Sequence, residues 1–124
     1  MSGEGNHVAA MFTCIVAGDM AGLRGCFAPG AVVWHNDVEA ELHVDAVVEV
    51  LSGLCAATSS LAYENQVTTQ IGRLHFIQHV LCGDLVNGGV LRMPAMMRVE
   101  TDDAGLVTRI DEYYDSRATD CLMG

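Results

Sequence analysis

Four side chains in this sequence have types and spacings suited to chemistry on strands: Trp34, Asn36, His79 and Glu112. A two-residue strand period puts Val32, Trp34 and Asn36 on one face, Ile77, His79 and Leu81 on one face, and Ile110, Glu112 and Tyr114 on one face. A carboxyl among apolar neighbours is pushed toward its neutral form by desolvation, and a nearby imidazolium pulls it back toward the ionised one. Brought together, Glu112 and His79 would form a tunable acid–base pair. Glu112 would then take a proton from water or from a carbon beside a carbonyl, and His79 would donate to the developing oxyanion. The Asn36 amide would orient the reacting group, and the Trp34 indole would shape the pocket and add one donor.

A His–Glu contact between neighbouring strands is also an ordinary structural hydrogen bond, and the residues alone leave both uses open. His35 stands between Trp34 and Asn36 but points to the opposite face of a regular strand, which makes it a secondary candidate base that a bulge would bring inward. His75 shares a face with His79, but zinc needs three or four convergent donors and no third ligand is evident, so no metal is expected. Met93 and Met97, with Met96 beside them, give one strand a soft, adaptable surface suited to an irregular apolar ligand or to core filling. Arg92 and Arg98 alternate with these methionines and fall on the other face, where Glu64, Glu100 and Asp111 can pair with them.

The elements that must position these groups follow from periodicity. Val8, Met11, Phe12 and Ile15 fall at helical spacing within residues 7–17, and Gly18 supplies a stop. Asp19 caps a short second helix carrying Met20, Leu23 and Phe27 inward, which Pro29-Gly30 breaks. A strand over 31–36 precedes a polar loop, 37–43. A third helix runs from Val44 to about Ala57 with Val47, Val50, Leu51 and Leu54 on one side, and Ser59 and Ser60 end it. Strands near 61–71, 73–82, 90–101 and 106–115 complete the chain, with hairpin turns at Asn87-Gly88-Gly89 and Asp102-Asp103-Ala104-Gly105. Helices first and strands afterwards predict an α+β domain spanning residues 1–124, with a curved antiparallel sheet wrapped on about three N-terminal helices. Two of the long strands are apolar on both faces, which predicts a homodimer through the outer face of the sheet.

Composition narrows the partners. A length of 124 residues, half of them apolar, suffices for one core with a cavity. Sixteen acidic residues against six basic ones give a formal charge of −10, which repels phosphate backbones and anionic lipid, so neither nucleic acid nor membrane is an expected partner. No run approaches the ~20 apolar residues of a membrane span, and Met1 to His7 lacks the pattern of a signal peptide. Five scattered cysteines without a C-x-x-C pair read as reduced thiols, and a cytoplasmic location is the expectation.

Two stretches, residues 30–54 (GAVVWHNDVEAELHVDAVVEVLSGL) and 105–117 (GLVTRIDEYYDSR), resemble limonene-epoxide hydrolase and its SnoaL-like relatives in the nuclear-transport-factor-2-like superfamily. The resemblance implies a cone-shaped fold enclosing an apolar pocket, and it implies that Trp34, Asn36, His79 and Glu112 converge there, with Leu81, Met93, Met97, Ile110 and Tyr114 as walls. Carried over by position, the epoxide hydrolases' tyrosine becomes Trp34, their asparagine stays as Asn36, their arginine falls on His79, one aspartate on Leu81 and the other on Glu112. Opening an epoxide in one step needs a base for the water and an acid for the departing oxygen, and Leu81 removes one carboxyl. The resemblance therefore implies a cofactor-free acid–base enzyme of isomerase, cyclase, dehydratase or hydrolase type acting on a small hydrophobic molecule. The alternative is a binding module whose pocket holds such a molecule, or whose sheet holds a protein, without catalysis.

Overall fold

The computed structural model describes residues 6–122. The expectation about a signal peptide at Met1 to His7, and the last two residues of the C-terminal segment, fall wholly or largely outside that range.

Helix α1 (His7–Ala17) buries Val8, Met11, Phe12 and Ile15, and it ends at Gly18, whose φ of 71° lets its N–H reach back to the last turn. Helix α2 (Met20–Arg24) starts where the Asp19 carboxylate accepts from Gly22 N–H at 2.9 Å, and its Leu23 is fully buried. The chain does not wait for Pro29-Gly30 to leave the helix. Strand β1 (Phe27–His35) begins at once, and the Pro-Gly step sits in an irregularity of its pairing between Phe27 and Val32, where a missing N–H costs no rung.

Residues 37–43, expected as a loop, contain strand β2 (Ala40–His43), which forms a hairpin with β1 from Val32↔His43 to His35↔Ala40. Its polar side chains read as a loop because β2 is an edge strand facing water. Helix α3 (Val44–Ala57) then buries Val44 and Val47, whereas Val50 is 61% exposed. Thr58, not Ser59 or Ser60, ends the helix. It turns extended, and its hydroxyl donates to Leu54 O at 2.9 Å.

Strands β3 (Thr58–Ile71), β4 (Leu74–Leu85), β5 (Val90–Thr101) and β6 (Val107–Tyr114) follow, and a 3₁₀ helix, η1 (Ser116–Leu122), closes the described chain. The six strands form one open, curved sheet in the order β2-β1-β6-β5-β4-β3. All pairings are antiparallel except one: β1 runs parallel to β6, a departure from the expected wholly antiparallel sheet. The chain reaches β6 from β1 only after two further elements and three long strands, so no hairpin dictates their relative direction.

On the inner face of β4, His75, Ile77, His79, Leu81, Gly83 and Leu85 are all buried, and the residues that alternate with them are not. The main core packs the helices against this face through residues such as Met11, Leu23, Val44, Ile77 and Val99. A second cluster, Leu81, Leu85, Leu91 and Met93, lies under Ala118 and Cys121 of η1. The space between the two is not filled.

Candidate active site

That space is a cavity of about 350 Å³ between the inner sheet face, α1, α3 and η1. Leu81, Met93, Met97, Ile110 and Tyr114 all border it, as does the pair His79 and Glu112. Thr119 and Leu122 of η1 also border it, so the C-terminal segment helps set its volume.

Parity on β1 differs from the expectation. Residues paired directly across parallel strands point to the same side, and the register is Val33↔Ile110, Trp34↔Asp111 and His35↔Glu112. Because Ile110 and Glu112 face the cavity, so do Val33 and His35. Trp34 is turned outward, where its ring meets Tyr113 at 5.3 Å. Asn36 also lies off the cavity wall: its amide donates to Tyr114 O at 3.1 Å and accepts from Tyr114 N–H at 3.0 Å.

His35, the secondary candidate, is therefore the direct partner of Glu112. Its Nε2 stands 3.3 Å from Glu112 Oε1, with both side chains mostly shielded from solvent. Hydrogen bonding to Glu112 raises the His35 pKa above 6.5, burial opposes this, and the charges of Glu112 and Asp37 add to it. His79 behaves in the opposite way: burial lowers its pKa, and the Glu112 charge only partly offsets that. One carboxylate thus faces two histidines whose surroundings drive their protonation apart, an arrangement suited to separate proton-transfer and hydrogen-bonding roles.

His79 is only 4% exposed and its Nδ1 is buried without a hydrogen-bond partner among the described residues. Its ring is packed edge-on by Phe12 at 5.6 Å and by Tyr63 at 4.9 Å. Tyr63 borders the cavity, and burial lifts its pKa far above the ordinary phenol value, which keeps the hydroxyl a donor. Sequence reasoning passed over Tyr63. The signal was its place on the same side of β3 as the partly buried Leu61, with both packed on the core.

His75 is buried on the same strand face as His79, but it lies outside the cavity lining. Among the described residues no group of three or more His, Cys, Asp or Glu is arranged to hold a metal ion. Arg98 pairs with Glu100 at 2.5 Å and with Asp111 at 3.5 Å on the outer face, while Arg109 bridges Glu41 and Asp111. No arginine borders the cavity, and the chain contains no lysine.

A six-stranded open sheet curved over N-terminal helices, with a pocket on its inner face, defines the nuclear-transport-factor-2-like, or SnoaL-like, fold. Solved structures agree. The chain is similar to a candidate isomerase from Bacillus subtilis, with a TM-score of 0.81 and 12% identity over 98% of this chain and 92% of that one. It is similar to IdmH, a candidate polyketide cyclase from Streptomyces antibioticus, with a TM-score of 0.79 and 16% identity over 99% of each chain. It is likewise similar to a candidate polyketide cyclase from Xanthomonas campestris pv. campestris, with a TM-score of 0.77 and 18% identity over 90% of each chain. No family model and no curated protein sequence matches it.

Proposed function

We propose that the chain is a cofactor-free general acid–base enzyme acting on a small hydrophobic molecule. The observation that carries this reading is the Glu112–His35 contact of 3.3 Å at the wall of an otherwise largely apolar cavity. A carboxylate 9% exposed in such a place is costly unless paired, and cavities of this kind are where such groups serve proton transfer.

In this reading Glu112 removes a proton from a carbon beside a carbonyl. The bonding pair moves toward the carbonyl oxygen to give an enolate, and the proton returns from Glu112 to a different carbon in an isomerisation, or is traded with solvent before return to the same carbon in an exchange. In a ring closure the enolate carbon instead bonds a second carbonyl carbon of the substrate, whose C=O pair moves onto its oxygen and takes the proton from Glu112. His35 holds Oε1 of Glu112 by its ring nitrogen. His79, which burial favours in the neutral form, borders the cavity and meets the developing oxyanion as a hydrogen-bond donor. The substrate is not an anion, because no arginine or lysine borders the cavity to receive one and the chain's net charge of −10 repels one. Filled at an interior packing density of about 0.74, the cavity takes roughly a dozen to fifteen non-hydrogen atoms, the size of two fused rings. The reading places the enzyme in the cytoplasm, where its five free cysteines stay reduced.

The test uses α-tetralone, a neutral two-ring ketone, as a probe. In deuterated buffer the native protein should accelerate loss of the ketone's α-proton signal in NMR, and Glu112→Gln should not. Saturable binding of the ketone with no exchange, equal in both proteins, would favour the binding-module reading instead.

We further propose a homodimer through the outer sheet face. Trp34 and Tyr113 pack there with their rings tilted at 57°, and Tyr113 and Met96 are 53% and 42% exposed beside the ion pairs of Arg98. An apolar strip rimmed by charges has the composition of an interface between two copies.

A further inference from the structure

Strand β1 ends at His35, yet its pairing with β6 continues. Asn36 N–H donates to Glu112 O at 3.1 Å. The next two bonds come from the Asn36 side chain, whose Nδ2 donates to Tyr114 O at 3.1 Å and whose Oδ1 accepts from Tyr114 N–H at 3.0 Å. A primary amide carries the same donor and acceptor as a peptide unit, so Asn36 stands in for a strand residue the chain no longer supplies.

This added rung lies directly after the paired residues His35 and Glu112. Register matters at this point, because a slip of one residue turns every side chain of a strand to its other face. Tyr114, once held, sets its ring edge-on to His35 with centroids 6.0 Å apart at 89°. Burial, and after it the nearby Asp37 carboxylate, raise the Tyr114 pKa and keep its hydroxyl protonated beside the rung.

We propose that Asn36 is a positioning residue for the His35–Glu112 pair: its amide extends the β1–β6 ladder by one rung, and that rung keeps His35 Nε2 within reach of Glu112 Oε1. Asn36 does not touch substrate, since both ends of its amide are occupied by backbone. The proposal rests on the acid–base reading only for its effect on turnover, and its structural core is measurable without any substrate.

The experiment follows the His35 ring protons by NMR through a pH titration of the native protein, Asn36→Ala and Asn36→Ser. The titratable groups around His35, namely Glu112, Asp37 and Tyr114, are retained in both variants, so only their placement can change. A fall of the His35 midpoint toward the ordinary histidine value in a folded variant supports the proposal, and an unchanged midpoint in a folded Asn36→Ala protein overturns it. On α-tetralone exchange the expected effect is a drop in kcat of about ten-fold or more with a smaller change in KM. A shifted midpoint in a protein that exchanges no α-proton even when native supports the positioning role and counts against the enzyme reading alone. Should both variants fail to fold, hydrogen exchange at the Tyr114 amide of the native protein decides: protection comparable to neighbouring ladder amides supports the rung, and exchange at the rate of an unstructured chain overturns it.

Discussion

His35 and Glu112 meet, at 3.3 Å between Nε2 and Oε1, because they are direct partners across the one parallel pairing of the sheet. Neither lies near the other in sequence, and neither is near His79, so the site is assembled entirely by β1, β4 and β6.

Replacing Glu112 by Gln keeps the shape and removes the base. Turnover of an α-proton substrate should fall by about 10²-fold or more, the usual contribution of a positioned base. The loss of the charged hydrogen bond to His35 should cost roughly 1–3 kcal/mol below the His35 pKa and much less above it. Activity and thermal unfolding measured on the same samples check both, and a destabilised variant with native turnover would remove Glu112 from catalysis.

The pH dependence of stability should carry two opposite contributions. The His35 pKa is raised in the folded protein, so its contribution is fully present below the unfolded value of 6.5 and is lost as pH rises through the folded value. The His79 pKa is lowered in the folded protein, so its contribution is present above 6.5 and is lost as pH falls toward the folded value. Unfolding scans across this range should show His35→Asn flattening the alkaline limb and His79→Asn flattening the acid limb, with Glu112 the shared charge that acts on both rings.

Limonene-type epoxides should be turned over poorly or not at all. Leu81 borders the cavity at 5% exposure where the resembling hydrolases carry an acid, and its direct partner across the β3–β4 ladder is Tyr63, whose phenol burial makes a much weaker acid than a carboxyl. Product formation followed by chromatography tests this, and rapid hydrolysis by the native protein would refute it. Leu81→Asp should help only when His79 is also changed to Arg, because an unpaired buried carboxylate is costly.

The outer sheet face should govern association. Tyr113→Asp places a charge where a second copy would pack, so sedimentation at micromolar concentration should shift from dimer to monomer. Trp34 is the single tryptophan and packs on Tyr113, so its fluorescence should redden as the face becomes wet. A native protein that is already monomeric at that concentration would sink the interface.

The periodic parts of the chain were legible from residue types alone. The apolar spacing of α1, the Gly18 stop, the Asp19 cap and the strict alternation of β4 and β5 are local properties, and each appears in the structure where periodicity puts it. The same alternation put His79 and Leu81 on one face of β4 and Met93 and Met97 on one face of β5, and these faces border the cavity. β2 escaped notice because an edge strand needs no apolar face, and the parallel direction of β1 escaped because direction between distant strands leaves no trace in local pattern. That pairing decided the site. Alternation makes Trp34 and Asn36 share a face and His35 oppose them, but only the partner across the ladder says which face is the inner one. Register against Glu112 gave the cavity to His35, turned Trp34 outward, and engaged the Asn36 amide with the backbone of Tyr114.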